Sequence, residues 1–135
     1  MQIPPGAHIA VIDGARFLLF RNGDDAVHPD IGSPTQPDLS PSNRSQGKLR
    51  HSITTAQDAG NDLDEAAHVA AAADWLNHAV LSNTIDKLVV VADKRSLGEL
   101  RRHYHKALEE RLVGEVAKAL TGRPVPEIEQ AIIAA

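Results

Sequence analysis

An unbroken run of five apolar residues, Leu88–Ala92, is the strongest secondary-structure signal in the chain. A run this short and this apolar predicts a strand that is covered on both faces of its sheet. Ser96 and Glu99 follow with the spacing of a capping box, which predicts that a helix starts at Ser96. A buried strand leading into a helix is the unit of α/β domains, and the loop after the strand, residues 93–95, is the expected place for a site.

Two further apolar stretches, at residues 8–12 and 15–20, flank an Asp13-Gly14 pair near the start of the chain. Asp-Gly between apolar runs predicts a β-hairpin, because a type I′ turn needs positive φ at both of its central residues. Asn22-Gly23 repeats this signal and predicts a third strand at residues 26–31. Three antiparallel strands are therefore expected at the N-terminus.

Residues 62–82 have the pattern of an amphipathic helix, with apolar side chains every three to four positions. Asp62 and Glu65 form a pair resembling a capping box at its start. The many alanines on its apolar face indicate close packing against a sheet.

The pattern after Ser96 allows two interpretations. The apolar spacing fits one long helix over residues 96–121, whereas the alternative ends the helix near Leu108 and makes residues 112–117 a strand. Pro124 and Pro126 then introduce a short apolar face, which predicts a last helix at the end of the chain.

Residues 32–61 differ from the rest of the chain because they are rich in Pro, Ser and Asn and show almost no apolar periodicity. A stretch of this length inside a compact domain indicates either a functional loop or a solvated one. The pattern suggests one element within it, a short strand at residues 49–53.

Composition narrows the class of protein. The length of 135 residues predicts a single domain over residues 1–135, and the low aromatic content of 3% means that its core is built from aliphatic side chains. The absence of cysteine excludes disulfides and thiolate metal sites. No apolar run approaches the roughly 20 residues of a membrane span, and no signal peptide is recognisable, so a cytoplasmic protein without a membrane partner is expected.

The formal net charge is −4, with 14 basic and 18 acidic residues, so binding to nucleic acid would need a local basic patch. Two groups of basic residues are candidates for such an anion or RNA-phosphate surface, and the alternative for both is an ordinary solvated charged face. One group lies in the long loop and the other surrounds the helix expected after Ser96. Their members are Arg44, Lys48, Arg50 and His51 in the loop, and Lys94, Arg95, Arg101, Arg102, His103 and Lys106 around the helix.

Taken in order, these elements resemble the host attachment protein family, whose members are described as proteins required for attachment to host cells. The likeness covers nearly the whole chain and rests on five pieces of sequence. These are residues 11–16 (Val-Ile-Asp-Gly-Ala-Arg), the helix with Glu65 and His68, residues 86–92, residues 97–101 (Leu-Gly-Glu-Leu-Arg) and residues 113–121.

That family is in turn similar to the middle domain of archaeal and eukaryotic release factors and of Pelota. The resemblance implies a single α/β domain of ribonuclease H-like type, with a mixed five-stranded sheet and helices on its faces. It also implies the strand at residues 112–117. In release factors the loop before the first long helix carries a Gly-Gly-Gln tripeptide, but the loop here reads Arg-Ser-Gln-Gly-Lys at residues 44–48 and contains none. Peptide release is therefore not expected.

Asp13 and Asp93 follow strands that would be neighbours in a ribonuclease H-like sheet. Nucleases of that fold use paired carboxylates at this place to hold two metal ions about 4 Å apart. The alternative is structural, because Asp13 is already accounted for by the hairpin turn and Asp93 can cap the following loop.

The histidines in the sequence do not form a set of metal ligands. Asp64 and Glu65 are four and three residues before His68, so either pair shares a helix face, but His103 and His105 diverge and further ligands are lacking. Glycine-rich phosphate loops and nucleophile motifs are also absent from the sequence. No metal and no cofactor are therefore expected.

These observations favour a non-catalytic interaction module of the host attachment type, with a protein, RNA or the ribosome as its partner. The alternative is a metal-dependent phosphoesterase or nuclease using Asp13 and Asp93. Exposed strand edges would further allow a homodimer.

Overall fold

A mixed four-stranded sheet forms the centre of the computed structural model, which describes residues 1–23, 31–39 and 61–135, the side chains of residues 61–63 excepted. The strands lie in the order β2-β1-β3-β4. β1 is antiparallel to β2 and parallel to β3, and β3 is parallel to β4. Their bounds are His8–Ile12 for β1, Phe17–Arg21 for β2, Leu88–Ala92 for β3 and Leu112–Ala117 for β4.

Within the described ranges, four helices cover the two faces of this sheet. α1 spans Asn61–Leu81, α2 Lys94–Arg101, α3 Lys106–Arg111 and α4 Val125–Ala134. Alternate residues of the central strands enter two separate cores, one shared with α1, α2 and α3 and the other with α4. All five residues of β3 are buried because the strand is paired on both edges and covered on both faces. The predicted α/β class and the predicted central strand are confirmed.

The aliphatic core contains one aromatic pair that fixes α1 against the hairpin. Phe17 and Trp75 meet edge to face, with ring centroids 5.5 Å apart and an interplanar angle of 86°. This geometry is the favoured one for aromatic rings, because the positive ring edge meets the negative ring face. The predicted helix over residues 62–82 is confirmed as α1, one residue earlier at each end.

The described residues contain four strands rather than the predicted five. The third N-terminal strand was expected at residues 26–31, of which only Ile31 is described, and the strand expected at residues 49–53 lies outside the described ranges. Thr35 instead pairs with Leu19 on the outer edge of β2, through two backbone hydrogen bonds of 2.8 Å.

The predicted hairpin is present, but its predicted turn type is wrong. Gly14 does not have a positive φ, and the Asp13 carboxylate organises the turn by accepting the backbone N–H groups of Ala15 at 2.7 Å and Arg16 at 2.6 Å. Glycine is required at position 14 for a different reason. A Cβ there would lie 2.6 Å from Cγ of Glu65, so only glycine allows α1 to approach the turn this closely.

The predicted start of the second helix is also wrong. Asp93 rather than Ser96 is the N-cap, because its carboxylate accepts the backbone N–H of Ser96 at 3.1 Å. α2 therefore begins at Lys94 and ends at Arg101, and residues 93–95 are its cap and first turn rather than a free loop.

The two interpretations of the C-terminal third are resolved in favour of the strand. Leu112–Ala117 is β4, so a single helix over residues 96–121 is excluded, and the last helix begins beside Pro124 and Pro126 as predicted. Asn77 of α1 holds the connection between α2 and α3. Its amide donates to the carbonyl oxygen of His103 at 2.8 Å and accepts the backbone N–H of His105 at 2.9 Å.

Within the ranges given above, no helix combines the length and apolar character needed to cross a membrane.

Candidate functional site

The carboxyl ends of β1, β3 and β4 meet at one edge of the sheet, which we call the carboxyl edge. Ile12, Ala92 and Ala117 are in register across the three neighbouring strands. The residues that follow them in the chain therefore begin at the same level. In α/β folds this edge is where ligands bind, because the loops that leave the parallel strands converge there.

Asp13 is the first residue beyond β1 and lies in a network of hydrogen bonds. The Thr121 hydroxyl donates to its Oδ2, the backbone N–H groups of the turn donate to its Oδ1, and the Arg16 guanidinium lies 3.7 Å away. Partial burial raises the pKa of the Asp13 carboxyl, but the hydrogen bonds and the Arg16 charge together outweigh burial and leave this pKa below its ordinary value. Asp13 is therefore a carboxylate at neutral pH.

Asp13 and Asp93 do come together, as the sequence predicted. Both line an open cleft of about 330 Å³ with Gly14, Glu65 and Ser96. Each carboxylate is nevertheless held by its own loop, Asp13 by the turn and Thr121, and Asp93 by the α2 N-terminus. In the part of the chain that the structure describes, no three histidine or acidic side chains lie close enough together to hold a metal ion.

His68 of α1 contacts the same turn from the other side. Its Nδ1 lies 2.9 Å from the carbonyl oxygen of Asp13. A carbonyl oxygen can only accept, so this contact requires the proton on Nδ1 and leaves Nε2 of the neutral ring as an acceptor. The His68 side chain also lines a groove of about 450 Å³ between the β-hairpin and residues 36–39. The hydrogen bond from His68 to the Asp13 carbonyl oxygen holds the turn in position.

The basic residues predicted around α2 lie toward its two ends, although Arg95 and Arg102 line one open groove of about 230 Å³ together with Glu65 and Glu99. Lys94 and Arg95 are exposed in the first turn, at the carboxyl edge, whereas Arg101 and Arg102 are at the far end of the helix, about 10 Å away at 1.5 Å per residue. Lys106 is exposed at the start of α3. His103 lies 3.1 Å from Glu99, and the remaining predicted members, in the long loop, lie outside the described residues: Arg44, Lys48, Arg50 and His51.

At the far end of α2 both arginines have a carboxylate nearby, although the Arg102 side chain is 77% exposed. Arg101 donates to Glu115 of β4 at 2.8 Å, and Arg102 lies 3.8 Å from Glu99. The Tyr104 hydroxyl also donates to Glu115, at 3.1 Å, and burial together with the Glu115 charge raises the pKa of the Tyr104 phenol far above its ordinary value of 10. This end of the helix is therefore a structural connection between α2 and β4.

The sequence pattern assigns no role at the carboxyl edge to Arg16 or Thr121, and it identifies Glu65 only as a helix-capping residue and as a neighbour of His68. Arg16 and Thr121 reach Asp13 from a separation of 3 and 108 residues, and Glu65 packs over Gly14. No local pattern around Thr121 could predict its hydrogen bond to Asp13, because the two residues are brought together only by the parallel pairing of β1, β3 and β4.

Comparison with protein families gives one finding that covers nearly the whole chain. The model of bacterial archaeo-eukaryotic release factor family 12 matches residues 7–132. The chain therefore belongs to this family, and the relationship to release factors expected from the sequence is confirmed. A comparison with curated proteins found no match.

Proposed function

We propose that this member of bacterial archaeo-eukaryotic release factor family 12 is a non-catalytic, translation-associated binding module whose partner is ribosomal or other RNA. Family membership supports the association with translation. One observation on the chain itself carries the proposal of an anionic partner: two exposed cations, Lys94 and Arg95, occupy the first turn of α2 at the carboxyl edge.

Cations are unfavourable at this position. The N-terminus of a helix carries partial positive charge, and acidic side chains are preferred in its first turn, yet α2 has none there. Residues that break a local stability rule are expected at functional sites, where binding compensates for their cost. Lys94 and Arg95 fit a surface that binds phosphate groups.

The absence of Gly-Gly-Gln from the chain supports binding rather than peptide release. We further propose that the sheet is of ribonuclease H-like type, as in the middle domain of release factors, and that the relationship to the host attachment family is one of shared fold. In this proposal the loop residues Arg44, Lys48 and Arg50 add further contacts to the same partner.

A metal-dependent phosphoesterase using Asp13 and Asp93 remains a second prediction, because the two carboxylates line one cleft. The hydrogen bonds that Asp13 already accepts from Thr121 and from the turn leave it poorly suited as a metal ligand. The observed arrangement therefore favours a structural role for Asp13, and we derive no metal-dependent step from it.

Co-sedimentation with purified ribosomes and with bulk RNA, at low and at moderate salt, tests the proposed function. We expect the wild-type protein to pellet with one of them at low salt and to be released at moderate salt, because phosphate contacts weaken as counterions compete. The double variant Lys94→Glu/Arg95→Glu should stay in the supernatant. Arg21→Glu/Lys87→Glu is the matched control, since both residues are exposed at the opposite edge of the sheet.

A wild-type protein that never pellets would refute RNA binding as the function. Equal loss in both double variants would attribute pelleting to net charge alone and would remove the role of the α2 cations.

A further inference from the structure

We propose that the phosphate-binding surface is the carboxyl edge itself, with Arg16, Lys118 and Arg123 joining Lys94 and Arg95, and that it binds the backbone of single-stranded RNA. This inference rests on the proposed function and assigns its surface. It replaces the surface expected from the sequence, which extended along α2 toward Arg101, Arg102 and Lys106.

The pairing of the strands brings these cations together from three segments: the turn after β1, the first turn of α2 and the loop after β4. Ala92 and Ala117 are in register, so Lys118 follows β4 at the level where Asp93 and Lys94 follow β3. Ile12 is in register with Ala92, and the turn after it carries Arg16. Neighbouring strands are about 4.8 Å apart, so the three segments begin within roughly 10 Å of one another.

Contacts between the hairpin turn and the segment after β4 bring Arg16 to Gly122, the residue before Arg123. The Thr121 hydroxyl donates to Asp13, which fixes the loop after β4 against the hairpin turn. A Cβ on Gly122 would lie 3.3 Å from an Nη atom of Arg16, so the guanidinium lies directly over the glycine that precedes Arg123 in the chain. The Arg16 side chain is 56% exposed and that of Arg123 is 59% exposed.

Carboxylates at the same edge are set lower than the cations. The Asp13 side chain is 23% exposed and accepts hydrogen bonds from its own turn and from Thr121. Asp93 caps α2, and Glu65 is half-buried against Gly14. Two exposed carboxylates are exceptions among the described residues: Glu127, which is 50% exposed and lies 3.9 Å from Arg123, and Asp64, which precedes Glu65 in α1. The outer layer of the edge is therefore predominantly cationic, although the protein as a whole carries a net negative charge.

Spacing of the cations fits a flexible phosphate backbone better than a single small anion. They come from three segments that follow neighbouring strands along the sheet edge. A chain of phosphates can meet such a row one after another, and no base-specific pocket is needed for this mode of binding. The structure thus favours RNA binding that is sensitive to salt and tolerant of sequence.

Three double variants that change the charge equally locate the surface. Lys118→Glu/Arg123→Glu alters the carboxyl edge, Arg102→Glu/Lys106→Glu alters the far side of α2, and the third is the opposite-edge control Arg21→Glu/Lys87→Glu. Binding of a fluorescein-labelled, mixed-sequence single-stranded RNA is measured by anisotropy over a range of salt concentrations. Trp75 fluorescence checks the fold of each variant, because it is the only tryptophan in the chain.

We expect the carboxyl-edge variant alone to lose about tenfold or more in affinity at low salt, with a shallower dependence of log K on log salt. Lys118→Gln/Arg123→Gln removes the same two positive charges without adding negative ones, so it should lose an intermediate amount of affinity for RNA. It gives a second measurement of the same surface if the charge-reversal variant does not fold. The Arg102/Lys106 variant and the opposite-edge control should bind nearly as well as the wild type.

Wild-type binding that is lost only in the Arg102/Lys106 variant, or equally in all three, would overturn this assignment while leaving RNA binding intact. A wild type that binds vesicles of phosphatidylserine and phosphatidylcholine but not RNA would overturn both the assignment and the proposed function.

Discussion

Lys94 occupies the first position of α2, directly after the Asp93 cap, where the helix carries partial positive charge. An exposed cation at this position lowers the stability of the folded protein by about 0.3–1 kcal/mol, and an exposed carboxylate raises that stability by a similar amount. Lys94 is exposed, so the lower end of this range applies, and Lys94→Glu should stabilise the protein by about 0.6–1 kcal/mol at low ionic strength. For a domain of this size that free energy raises the midpoint of thermal unfolding by about 3 °C.

Thermal unfolding followed by Trp75 fluorescence at neutral pH and low salt measures this change. Lys94→Gln should give about half of the shift, because it removes the unfavourable charge without adding a favourable one. Lys87→Glu is the control, since Lys87 is also exposed but lies in no helix. In 1 M salt, where the screening length falls to about 3 Å, the shift should nearly vanish.

A midpoint that falls in Lys94→Glu, or one that rises equally in Lys87→Glu, would refute the interpretation of Lys94 as a residue kept at a cost in stability. The functional counterpart is measured in the same preparation. Lys94→Glu should be more stable than the wild type and bind RNA more weakly, whereas a variant that gains both stability and affinity would contradict a role for this cation in binding.

Three further predictions concern the turn, the helix and the phenol. Gly14→Ala should destabilise the protein by about 1–3 kcal/mol, because the new Cβ would clash with the Glu65 side chain. Gly98→Ala in α2 should instead stabilise it by about 0.5–1 kcal/mol, because a Cβ there has no neighbour within 4 Å and alanine is the better helix former. Urea unfolding of both variants measures the two changes. Asp13 has a lowered pKa in the folded protein, so its contribution to stability is present above the unfolded pKa and is lost as the pH falls below about 4. The difference in unfolding free energy between wild type and Asp13→Asn should therefore be constant near neutral pH and shrink below about pH 4. Tyr104 is the only tyrosine, so tyrosinate absorbance at alkaline pH reports it alone. Its raised pKa gives stability that is present below pH 10 and lost as the pH rises further, and Glu115→Gln should bring ionisation to lower pH, whereas an unchanged titration in that variant would contradict the contact.

Local patterns in the sequence predicted elements well wherever burial alone decides the structure. Leu88–Ala92 is apolar at every position because both faces are covered, and the structure has this strand with the same bounds. The strand Leu112–Ala117 was different. Its four-residue apolar spacing also fits a helix, and only the resemblance to a known family selected the strand, which the fold then confirmed.

Errors occurred where two local signals compete. Asp93 and Ser96 are three residues apart and both are good N-caps, but the Asp93 carboxylate accepts the Ser96 N–H, so the helix begins three residues earlier than a Ser96 cap would place it. Asp13-Gly14 likewise suggested a turn that needs a flexible glycine. The turn is instead organised by the Asp13 side chain, and the glycine is required by Glu65 of α1, a contact that no local pattern contains.

The candidate site could be predicted only in part for the same reason. Asp13, Asp93, Lys94 and Arg95 follow strands that are recognisable from the sequence, so they could be placed at the carboxyl edge. The cations after β4 could not, because their position depends on the parallel pairing of β3 with β4 and on the contact between Thr121 and Asp13.

Asp13 separates the two functions considered for this edge, because the same substitution acts in opposite directions. If the edge binds RNA, Asp13→Asn removes a carboxylate that lies 3.7 Å from Arg16 and should strengthen binding at low salt by roughly twofold, the worth of an exposed ion pair. If Asp13 is a metal ligand, the variant should instead lose any manganese- or magnesium-dependent phosphodiester hydrolysis and gain no affinity for RNA. The two assays on one folded variant therefore decide between a carboxylate that restrains a cation and one that serves catalysis.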